Sequence, residues 1–551
     1  MTSTSVTATP TIAPHGLEAP VAPAPAPKLS AAEERAMAKE ESKFSEFVVL
    51  LDDQATRSVE KAFDMPMGPE RRQYVAKTLI ENMVKTQAPL WKVLDGLQAS
   101  GHVSATRGYT PLWIQNSIVV YGDDTARTTL ESAAGVAQAI QSATHTLDNP
   151  GQYVDQLAPI QDAVHGASEA LADLPVDVDK AEATTHAAKR GKDGATADLA
   201  TDPQWNVTRM QIDKARADGL TGKGVTVGII DTGLDVDHPF LLSKYRGYDA
   251  TSGTRSDTAN WYDSVAAERS PEPVDVGRHG THVAGTIVGG YGDVQTGMAP
   301  DAKIVAARGL GEEGGTDGML LSSFQNMVAP RVPTPGKSPG SQRVLTLGPD
   351  VINNSWGSDN GNSTSYLNAL RNMDAMGVIN VFAAGNDGDA GNSTIGSPAS
   401  SGHIITVGAT DRNDQPASFS SRGPNPLPVE GEGEPVPFVS APGVDIRSTI
   451  PGGGIESGWQ GTSMATPAIT GVIALAQQAA LEATGRMFDT RAMKEVLKRA
   501  AVDVAEKGVD DVTGYGIPVA GNLRNTVEAV AKDLGLMPKT EKPKAAAKAS
   551  K

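Results

Sequence analysis

The sequence contains no cysteine, and aromatic residues make up only 5% of its 551 residues. Without cysteine, no disulfide can hold the fold together, and the chain carries no sign of its redox compartment. Its apolar runs are also short, because charged residues or glycine interrupt each one before the roughly 20 apolar residues that a membrane span needs. We therefore expect a protein that folds by packing alone and has no membrane partner.

Positive charge is also in short supply. Lys and Arg total 48 against 65 for Asp and Glu, so the formal net charge is −17. This excess of negative charge argues against nucleic acid or an anionic membrane as a partner. The N-terminal residues, MTSTSVTATPTIAPHGLEAP, lack the positive start and the apolar core of a secretory signal. No standard export leader is therefore expected.

The chain is long enough for several units, because 551 residues exceed the size of one ordinary domain. Hydrophobic residues at 39% and charged residues at 21% are typical of globular proteins. Shifts in composition divide the chain into a disordered Ala/Pro-rich leader (1–42), a small α/β unit (43–125), an Ala-rich helical insert and linker (126–203), a large domain (204–535) and a disordered Lys-rich tail (536–551).

Two of these units have clear hydrophobic patterns. In the small unit, FSEFVVLLDD and PLWIQNSIVVYG are predicted strands on either side of the helical ERRQYVAKTLIENMVKTQAPLWKVLDGL. The large domain alternates fully apolar strands (VTVGIID, AKIVAARGL, DVINNSW, VINVFAAGN) with helices (HGTHVAGTIVG, TSYLNALRNMDAMG, SMATPAITGVIALAQQAALEA). This alternation predicts an α/β fold with a doubly wound, mostly parallel sheet and helices on both faces, preceded by the small α/β unit.

Three segments of the large domain carry residues suited to catalysis. Asp231 ends the strand VTVGIID, and His279 begins the helix HGTHVAGTIVG with His282 three residues on. Ser463 lies where GTSMATP enters a long apolar helix. Each has an ordinary alternative, because Asp231 can cap the next helix, the histidines can be structural and Ser463 can be an N-cap. A zinc site is disfavoured, since no further His or Cys lies near the histidines.

Taken together, the three segments indicate a catalytic triad. A nucleophilic serine needs a base to take its proton, and the base needs a carboxylate that fixes its tautomer. The order Asp, His, Ser along the chain is that of subtilisin and differs from the orders in chymotrypsin and in α/β-hydrolases. The motifs IIDTGLDVDHP, HGTHVAGT, VFAAGNDG and GTSMATP resemble the subtilisin-like serine peptidase (subtilase) family over residues 204–530.

The resemblance implies a role for each matched residue. Asp231 would orient His279, His279 would act as general base and then general acid, and Ser463 would attack the scissile carbonyl. Asn386 of AAGNDG would donate a hydrogen bond to the oxyanion, beside the backbone N–H of Ser463. His282 matches a structural position of the family.

The resemblance also implies a substrate-binding region. NNSWG and FAAGN resemble the two backbone stretches that flank the family's main specificity pocket, and Gly396 in STIGSP matches its floor. A floor without a side chain leaves room for a large group, so we expect aromatic or long apolar residues at P1. The predicted substrate-binding residues are Ser355, Trp356, Gly357, Ala383, Ala384, Gly385 and Gly396.

Smaller details place the chain within the family and mark two departures from it. NNSWG, VGATDRNDQPASFSSRGP and APGVDIRSTIPGG look most like the bacillopeptidase F branch. Phe240 stands where relatives often have a calcium-ligating Asp, and Ala468 stands where a His is common after GTSMATP. The implied chemistry needs no cofactor, whereas structural calcium and any metal ligands stay open.

Residues 43–125 resemble a subtilisin propeptide, which implies an inhibitory prodomain and a zymogen. An accessory domain that stays attached is the alternative. We thus expect a serine endopeptidase that acts as a monomer on polypeptide substrates and is restrained by its own N-terminal prodomain. The alternatives are a catalytically silent peptide-binding relative and an esterase. Family habit favours the extracellular side, reached by a leaderless route, over the cytoplasm.

Overall fold

The computed structural model describes residues 42–145, 147, 204–265, 269–291, 294–333, 341–427 and 434–538. The leader expected at the N-terminus, the linker up to residue 203 and the end of the expected tail lie outside the described residues. We call residues 42–145 the N-terminal unit and residues 204–538 the C-terminal domain.

The N-terminal unit is an antiparallel sheet of strand order β2-β3-β1-β4 with one long helix packed on it. Leu90 and Leu94 of that helix are buried with Phe47, Ile118 and Val120 of the sheet. The strands are β1 (Ser45–Leu51), β2 (Tyr109–Leu112), β3 (Ser117–Gly122), β4 (Val136–Gln141) and β5 (Thr144–His145), and the helices are α1 (Thr56–Glu60), α2 (Pro69–Ala99) and α3 (Asp124–Glu131).

Three expectations for this unit need correction. PLWIQNSIVVYG forms two strands instead of one, because Asn116 adopts a left-handed φ of 44° between β2 and β3 and turns the chain. The sheet also continues to Gln141, so the boundary expected at 125 lies inside the unit. The stretch Val136–Gln141, expected to be helical, is a strand because it pairs with β1, and this pairing outweighs the helix propensity of Ala and Gln.

The C-terminal domain is built on a seven-stranded parallel sheet of order β13-β12-β11-β10-β6-β8-β7. Its strands, with three that lie outside the sheet, are β6 (Thr226–Asp231), β7 (Trp261–Asp263), β8 (Lys303–Arg308), β9 (Gly315–Thr316), β10 (Val351–Asn354), β11 (Ile379–Ala383), β12 (Ile405–Thr410), β13 (Val439–Pro442), β14 (Ile446–Ile450) and β15 (Gly454–Trp459). Short antiparallel pairs join Tyr248–Asp249 to Thr254–Arg255, Gly290–Tyr291 to Val294–Gln295, Arg331–Pro333 to Ser341–Arg343 and Ala501–Val502 to Ile517–Pro518.

Helices cover both faces of this sheet, so the predicted α/β fold class is confirmed. Side chains of β6 point alternately to two cores, because Val227 and Ile229 belong to one and Ile230 to the other. The helices are α4 (Trp205–Arg209), α5 (Ile212–Ala217), α6 (His279–Val288), α7 (Asp317–Val328), α8 (Leu367–Ala375), α9 (Thr462–Thr484), α10 (Thr490–Ala500) and α11 (Leu523–Asp533). Helices α6 and α9 contribute to the first core, and α7 and α8 to the second.

The second core does not stop at the edge of the C-terminal domain. Leu112, Trp113 and Ile114 of the N-terminal unit are buried in it together with Phe324 of α7 and Met373 of α8. The two units therefore share one hydrophobic core.

Helix α9 runs through the first core of the C-terminal domain. It is long and apolar enough to cross a membrane by length and composition, yet 94% of its most apolar window is buried inside the protein. Its apolar character is accounted for by this central position.

Candidate active site

The three residues of the predicted triad lie in one buried region at the carboxyl edge of the sheet. Asp231 is 0%, His279 3% and Ser463 4% exposed. Asp231 is the last residue of β6, and His279 is the first of α6. Ser355 follows β10, whose Asn354 pairs with Ile230, so Ser355 lies level with Asp231 on the neighbouring strand. This edge is where α/β folds place reactive groups.

Asp231 and His279 are in direct contact. Their Oδ1 and Nδ1 atoms are 2.8 Å apart, and the backbone N–H of Thr232 donates to the same carboxylate oxygen at 2.7 Å. Gly280 allows this approach, since a Cβ there would clash with the carbonyl oxygen of Gly233. A carboxylate on Nδ1 holds the imidazole with its Nε2 free of a proton, which is the form a general base requires.

A second, partly buried carboxylate supports the pair, and no motif singled it out in the sequence. Asp275 accepts hydrogen bonds from the hydroxyls of Thr232 (2.7 Å) and Thr281 (2.6 Å), which ties the end of β6 to α6. Burial raises the pKa of Asp275, and the nearby negative charge of Asp231 raises it further. Asp275 therefore fixes the elements that carry Asp231 and His279.

Ser463 is the second residue of α9 and is held by Ser355. The Ser463 hydroxyl donates to the carbonyl oxygen of Ser355 at 3.0 Å, and the Ser355 hydroxyl donates back to the carbonyl oxygen of Ser463 at 3.0 Å. Trp459 lies just before α9, with its ring 6.2 Å from the ring of His279. For Ser463 to pass its proton to His279, its hydroxyl must turn away from Ser355.

Asn386 follows β11 and is oriented by the first residue of α9. Its side-chain oxygen accepts hydrogen bonds from the backbone N–H (2.9 Å) and the hydroxyl (3.0 Å) of Thr462. A Cβ on Gly461 would lie 3.5 Å from the amide nitrogen of Asn386 and 3.6 Å from the backbone nitrogen of Ser463. The two predicted oxyanion donors therefore border the same small space, which Gly461 leaves open.

His282 is a structural neighbour of the candidate triad. It is buried, and its ring stacks on Trp459 with centroids 4.3 Å apart. Burial and the nearby His279 hold the pKa of His282 well below its ordinary value, so it stays neutral. No group of three or more metal-ligating side chains occurs in the part of the chain that the structure describes.

Phe240 stands where relatives often have a calcium-ligating Asp. Phe240 stacks on Tyr291 at 6.0 Å and offers no side-chain oxygen to a cation. The backbone N–H of Phe240 donates to the ring of His238 at 3.1 Å. This corner is held by aromatic packing.

A narrow cavity lies beside Asn386, with Gly385 and Asp387 in its lining. Five of the predicted substrate-binding residues line it together with four that were not predicted: the lining consists of Gly357, Ser358, Ala383, Ala384, Gly385, Asp387, Gly396, Ser397 and Ala399. Gly396 is needed there because a Cβ would clash with the carbonyl oxygen of Ser358. Burial raises the pKa of Asp387, and the negative charge of Asp359 adds to the rise. The cavity thus has an acidic side chain that motif matching missed.

Two predicted substrate-binding residues do not line this cavity. Ser355 is fully buried and is used to hold Ser463. Trp356 is also fully buried and packs on Phe324 and Phe382, with ring centroids 6.0 and 5.3 Å away. The sequence motif predicted Trp356 to lie beside the substrate, but its side chain points into the second core.

Two arginines at the start of α2 anchor the N-terminal unit to the C-terminal domain. Buried Arg71 donates from Nε to the carbonyl oxygen of Ala375, the last residue of α8, at 2.7 Å. Arg72 donates to the carbonyl oxygens of Gly348 (3.2 Å) and Pro349 (3.1 Å). Positive charge at the C-terminal end of a helix is favourable, so Arg71 stabilises the docked position.

The start of α7 is covered by the N-terminal unit. Glu46 accepts a hydrogen bond from the backbone N–H of Gly318 at 2.9 Å and one from the hydroxyl of Thr316 at 2.8 Å. Gly318 leaves the space for this contact, since a Cβ would come within 2.6 Å of the Glu46 carboxylate. Strand β5 pairs antiparallel with β9, His145 opposite Gly315. The N-terminal unit thus adds an extended strand to an edge of the C-terminal domain.

Residues 222–516, more than half of the chain, match the model of the subtilase family. The chain belongs to the subtilase family. This is a family of serine-type endopeptidases, which need no cofactor for catalysis. The family match covers the carboxyl edge of the sheet that carries Asp231, His279 and Ser463.

Individual relatives agree with the family match. This subtilase is 37% identical to bacillopeptidase F of Bacillus subtilis (strain 168) over 340 residues, which cover 60% of this chain and 22% of that protein. It is 33% identical to alkaline elastase YaB of Bacillus sp. (strain YaB) over 305 residues, 55% of this chain and 67% of the relative. It is 32% identical to subtilisin E of Bacillus subtilis (strain 168) over 273 residues, 49% of this chain and 60% of the relative. The chain thus spans less than a quarter of bacillopeptidase F.

Proposed function

We propose that this subtilase is made as a zymogen and hydrolyses peptide bonds in proteins through Asp231, His279 and Ser463. The observation that carries the proposal is the buried 2.8 Å contact between Asp231 and His279, at the same edge of the sheet as Ser463, the second residue of α9. Polypeptide is the proposed substrate class, and the N-terminal unit is the proposed inhibitor. Family membership supports the reaction type.

The proposed reaction has two halves. The Ser463 hydroxyl gives its proton to Nε2 of His279 while its oxygen attacks the carbonyl carbon, and Asp231 stabilises the imidazolium that forms. The tetrahedral oxyanion accepts hydrogen bonds from Asn386 and the backbone N–H of Ser463. His279 then protonates the leaving amine, and an acyl-enzyme remains. In the second half, His279 takes a proton from water as the water oxygen attacks the acyl carbon, and it then returns that proton to the Ser463 oxygen as the second product leaves.

The cavity beside Asn386 is the proposed site for the P1 side chain. Its small lining residues, Ala383 and Gly357 among them, support the expected preference for aromatic or long apolar groups. Asp387 adds a second expectation, because an ionised carboxylate in the lining favours a P1 lysine or arginine.

Maturation would require a cut between the N-terminal unit and the C-terminal domain. The unit is proposed to be inhibitory because β5 pairs with an edge strand of the peptidase domain, as an extended substrate would. Its anchors at Arg71 and Glu46 support a stable docked state.

A serine-directed fluorophosphonate tests the reaction type. Processed protein should be labelled on Ser463, and Ser463→Ala should abolish both labelling and casein hydrolysis. An unlabelled but peptide-binding protein would favour the catalytically silent alternative. Hydrolysis of simple esters without any cleavage of casein would favour the esterase.

The zymogen proposal has its own test. If maturation is autocatalytic, purified Ser463→Ala should accumulate as the full-length chain, whereas the unmodified protein is cut. Appearance of the same N-terminal fragment from the variant, with no other protease present, would contradict autocatalysis.

A further inference from the structure

One side chain of β5 enters a pocket of the peptidase domain that lies apart from the cavity beside Asn386. His145 and Asp317, the first residue of α7, are 1% and 2% exposed, and the Nε2 of His145 lies 2.6 Å from Oδ1 of Asp317. The His145 ring meets the rings of Trp356 and Tyr366 edge-on, at 5.8 and 5.3 Å between centroids. A flat ring with a hydrogen-bond donor therefore fills an aromatic pocket that has a carboxylate at one side.

The strand that carries His145 is hydrogen-bonded to the pocket in the way that an extended substrate would be. Backbone bonds join Asp317 to Ala143, whose carbonyl oxygen accepts from the Asp317 N–H at 3.1 Å. The N–H of Ala143 donates to the other carboxylate oxygen of Asp317, also at 3.1 Å. Gly314, with φ of 95°, gives the strand room, since a Cβ there would clash with the carbonyl oxygen of His145. Both oxygens of Asp317 thus bind the docked strand.

The buried carboxylate gives the pocket a chemical preference. In the described part of the chain, no lysine or arginine forms a salt bridge with Asp317. A buried carboxylate that loses its partner is costly, so an apolar side chain in this pocket leaves Asp317 poorly satisfied. Burial and the nearby charge of Asp317 raise the pKa of Tyr366 well above its ordinary value, so its hydroxyl keeps its proton.

We propose that the pocket formed by Asp317, Trp356 and Tyr366 makes this peptidase select polypeptides with histidine at the position that pairs with Gly315. The inference rests on the proposed function, because it names the substrate class of the same cleft. Strand β5 precedes the segment in which maturation must cut, so the selected histidine lies on the N-terminal side of the scissile bond. Asp317 is then a specificity-determining residue.

Cleavage of a proteome-derived peptide library by the processed enzyme tests the inference. Histidine should be enriched at one fixed position before the cut. Synthetic peptides with histidine there should exceed leucine peptides in kcat/KM by roughly 10- to 100-fold, the range for a buried hydrogen bond to a charged group. Asp317→Asn should remove this ratio, whereas the exposed control Glu528→Gln should retain it.

A substrate change avoids dependence on a variant that fails to fold. Methylation of the histidine at Nε2 removes the donor to Asp317, so this peptide should be cleaved no faster than the leucine peptide by the unmodified enzyme. Equal cleavage of the methylated and unmethylated peptides, or active enzyme without histidine preference, would overturn the inference and leave the peptidase function intact. Failure to cleave any peptide would instead refute the proposed function and the inference with it.

Discussion

Replacement of Asn386 by leucine should test the proposed oxyanion site most directly. Leucine has nearly the same shape but no donor, so the oxyanion would keep only the backbone N–H of Ser463. Loss of the corresponding donor in subtilisin itself lowers kcat by about 100- to 1,000-fold, or about 2.7–4 kcal/mol. We expect a loss of this size here, because the Asn386 amide nitrogen and the Ser463 nitrogen border the same space.

Asn386→Leu has a second effect besides the loss of the oxyanion donor, and a control variant can separate the two. Asn386 also accepts two hydrogen bonds from Thr462, and leucine removes that acceptor. Thr462→Val is the matched control, because it deletes the hydroxyl, which contacts Asn386 and the backbone of Gly385, but keeps the backbone N–H bond that orients Asn386. One neutral hydrogen bond contributes about 0.5–1.5 kcal/mol, so the control should lose at most about tenfold in kcat.

The assay is steady-state hydrolysis of a peptide anilide by pure enzyme that a protease of different specificity has processed. The expected signature is a fall in kcat with little change in KM, because the bond forms in the transition state. Thermal unfolding identifies misfolded preparations. A folded Asn386→Leu enzyme within tenfold of wild-type kcat, or one altered only in KM, would refute the assignment of the oxyanion site.

Three further outcomes are expected. Asp231→Asn should lower kcat by about 10⁴-fold, because the amide holds the wrong tautomer of the catalytic histidine; a loss below about 100-fold, measured at pH 8, would argue against its role. Asp387→Asn should lower the ratio of kcat/KM for P1 lysine to that for P1 phenylalanine by roughly 5-fold. In the unmodified enzyme this ratio should fall as the pH is lowered and Asp387 takes up a proton, and the fall should begin at a higher pH than for an ordinary Asp, since the pKa of Asp387 is raised. The pKa of His282 is lowered in the folded protein, so on acidification the unfolded chain takes up a proton at this histidine before the folded chain does, and the free energy of unfolding should decrease below about pH 6.5 by up to about 1.4 kcal/mol per pH unit. Urea unfolding of Ser463→Ala should show a flatter pH dependence once His282→Phe is added. An unchanged slope would contradict this.

Much of the fold was predictable because the sheet is made of unbroken apolar strands. VTVGIID is buried on both faces, and this is why β6 and its neighbours stand out in the sequence. The candidate triad was predictable for a chemical reason, because serine, histidine and carboxylate must act together. Strand β4 was not, since VAQAIQ favours a helix until it pairs with β1.

Residues that matter only through distant contacts escaped prediction. Asp317 looks like an ordinary helix-starting Asp in the sequence, and His145, its partner, lies 172 residues away. Asp387 was passed over as a neighbour of Asn386 because nothing local indicates that it borders a cavity. The motif around Trp356 fixed its place in the chain, but the direction of its side chain depends on Phe324 and Phe382, which come from other elements.

The shared core has a consequence for activation. Severing one peptide bond in the connecting segment would remove none of the contacts that Trp113 and Ile114 make with α7 and α8. The severed unit would therefore stay bound and keep the enzyme silent after the cut. Full activity would then depend on a second, slower event, the escape or digestion of the bound fragment, and its time course should show a lag that shortens as free enzyme accumulates.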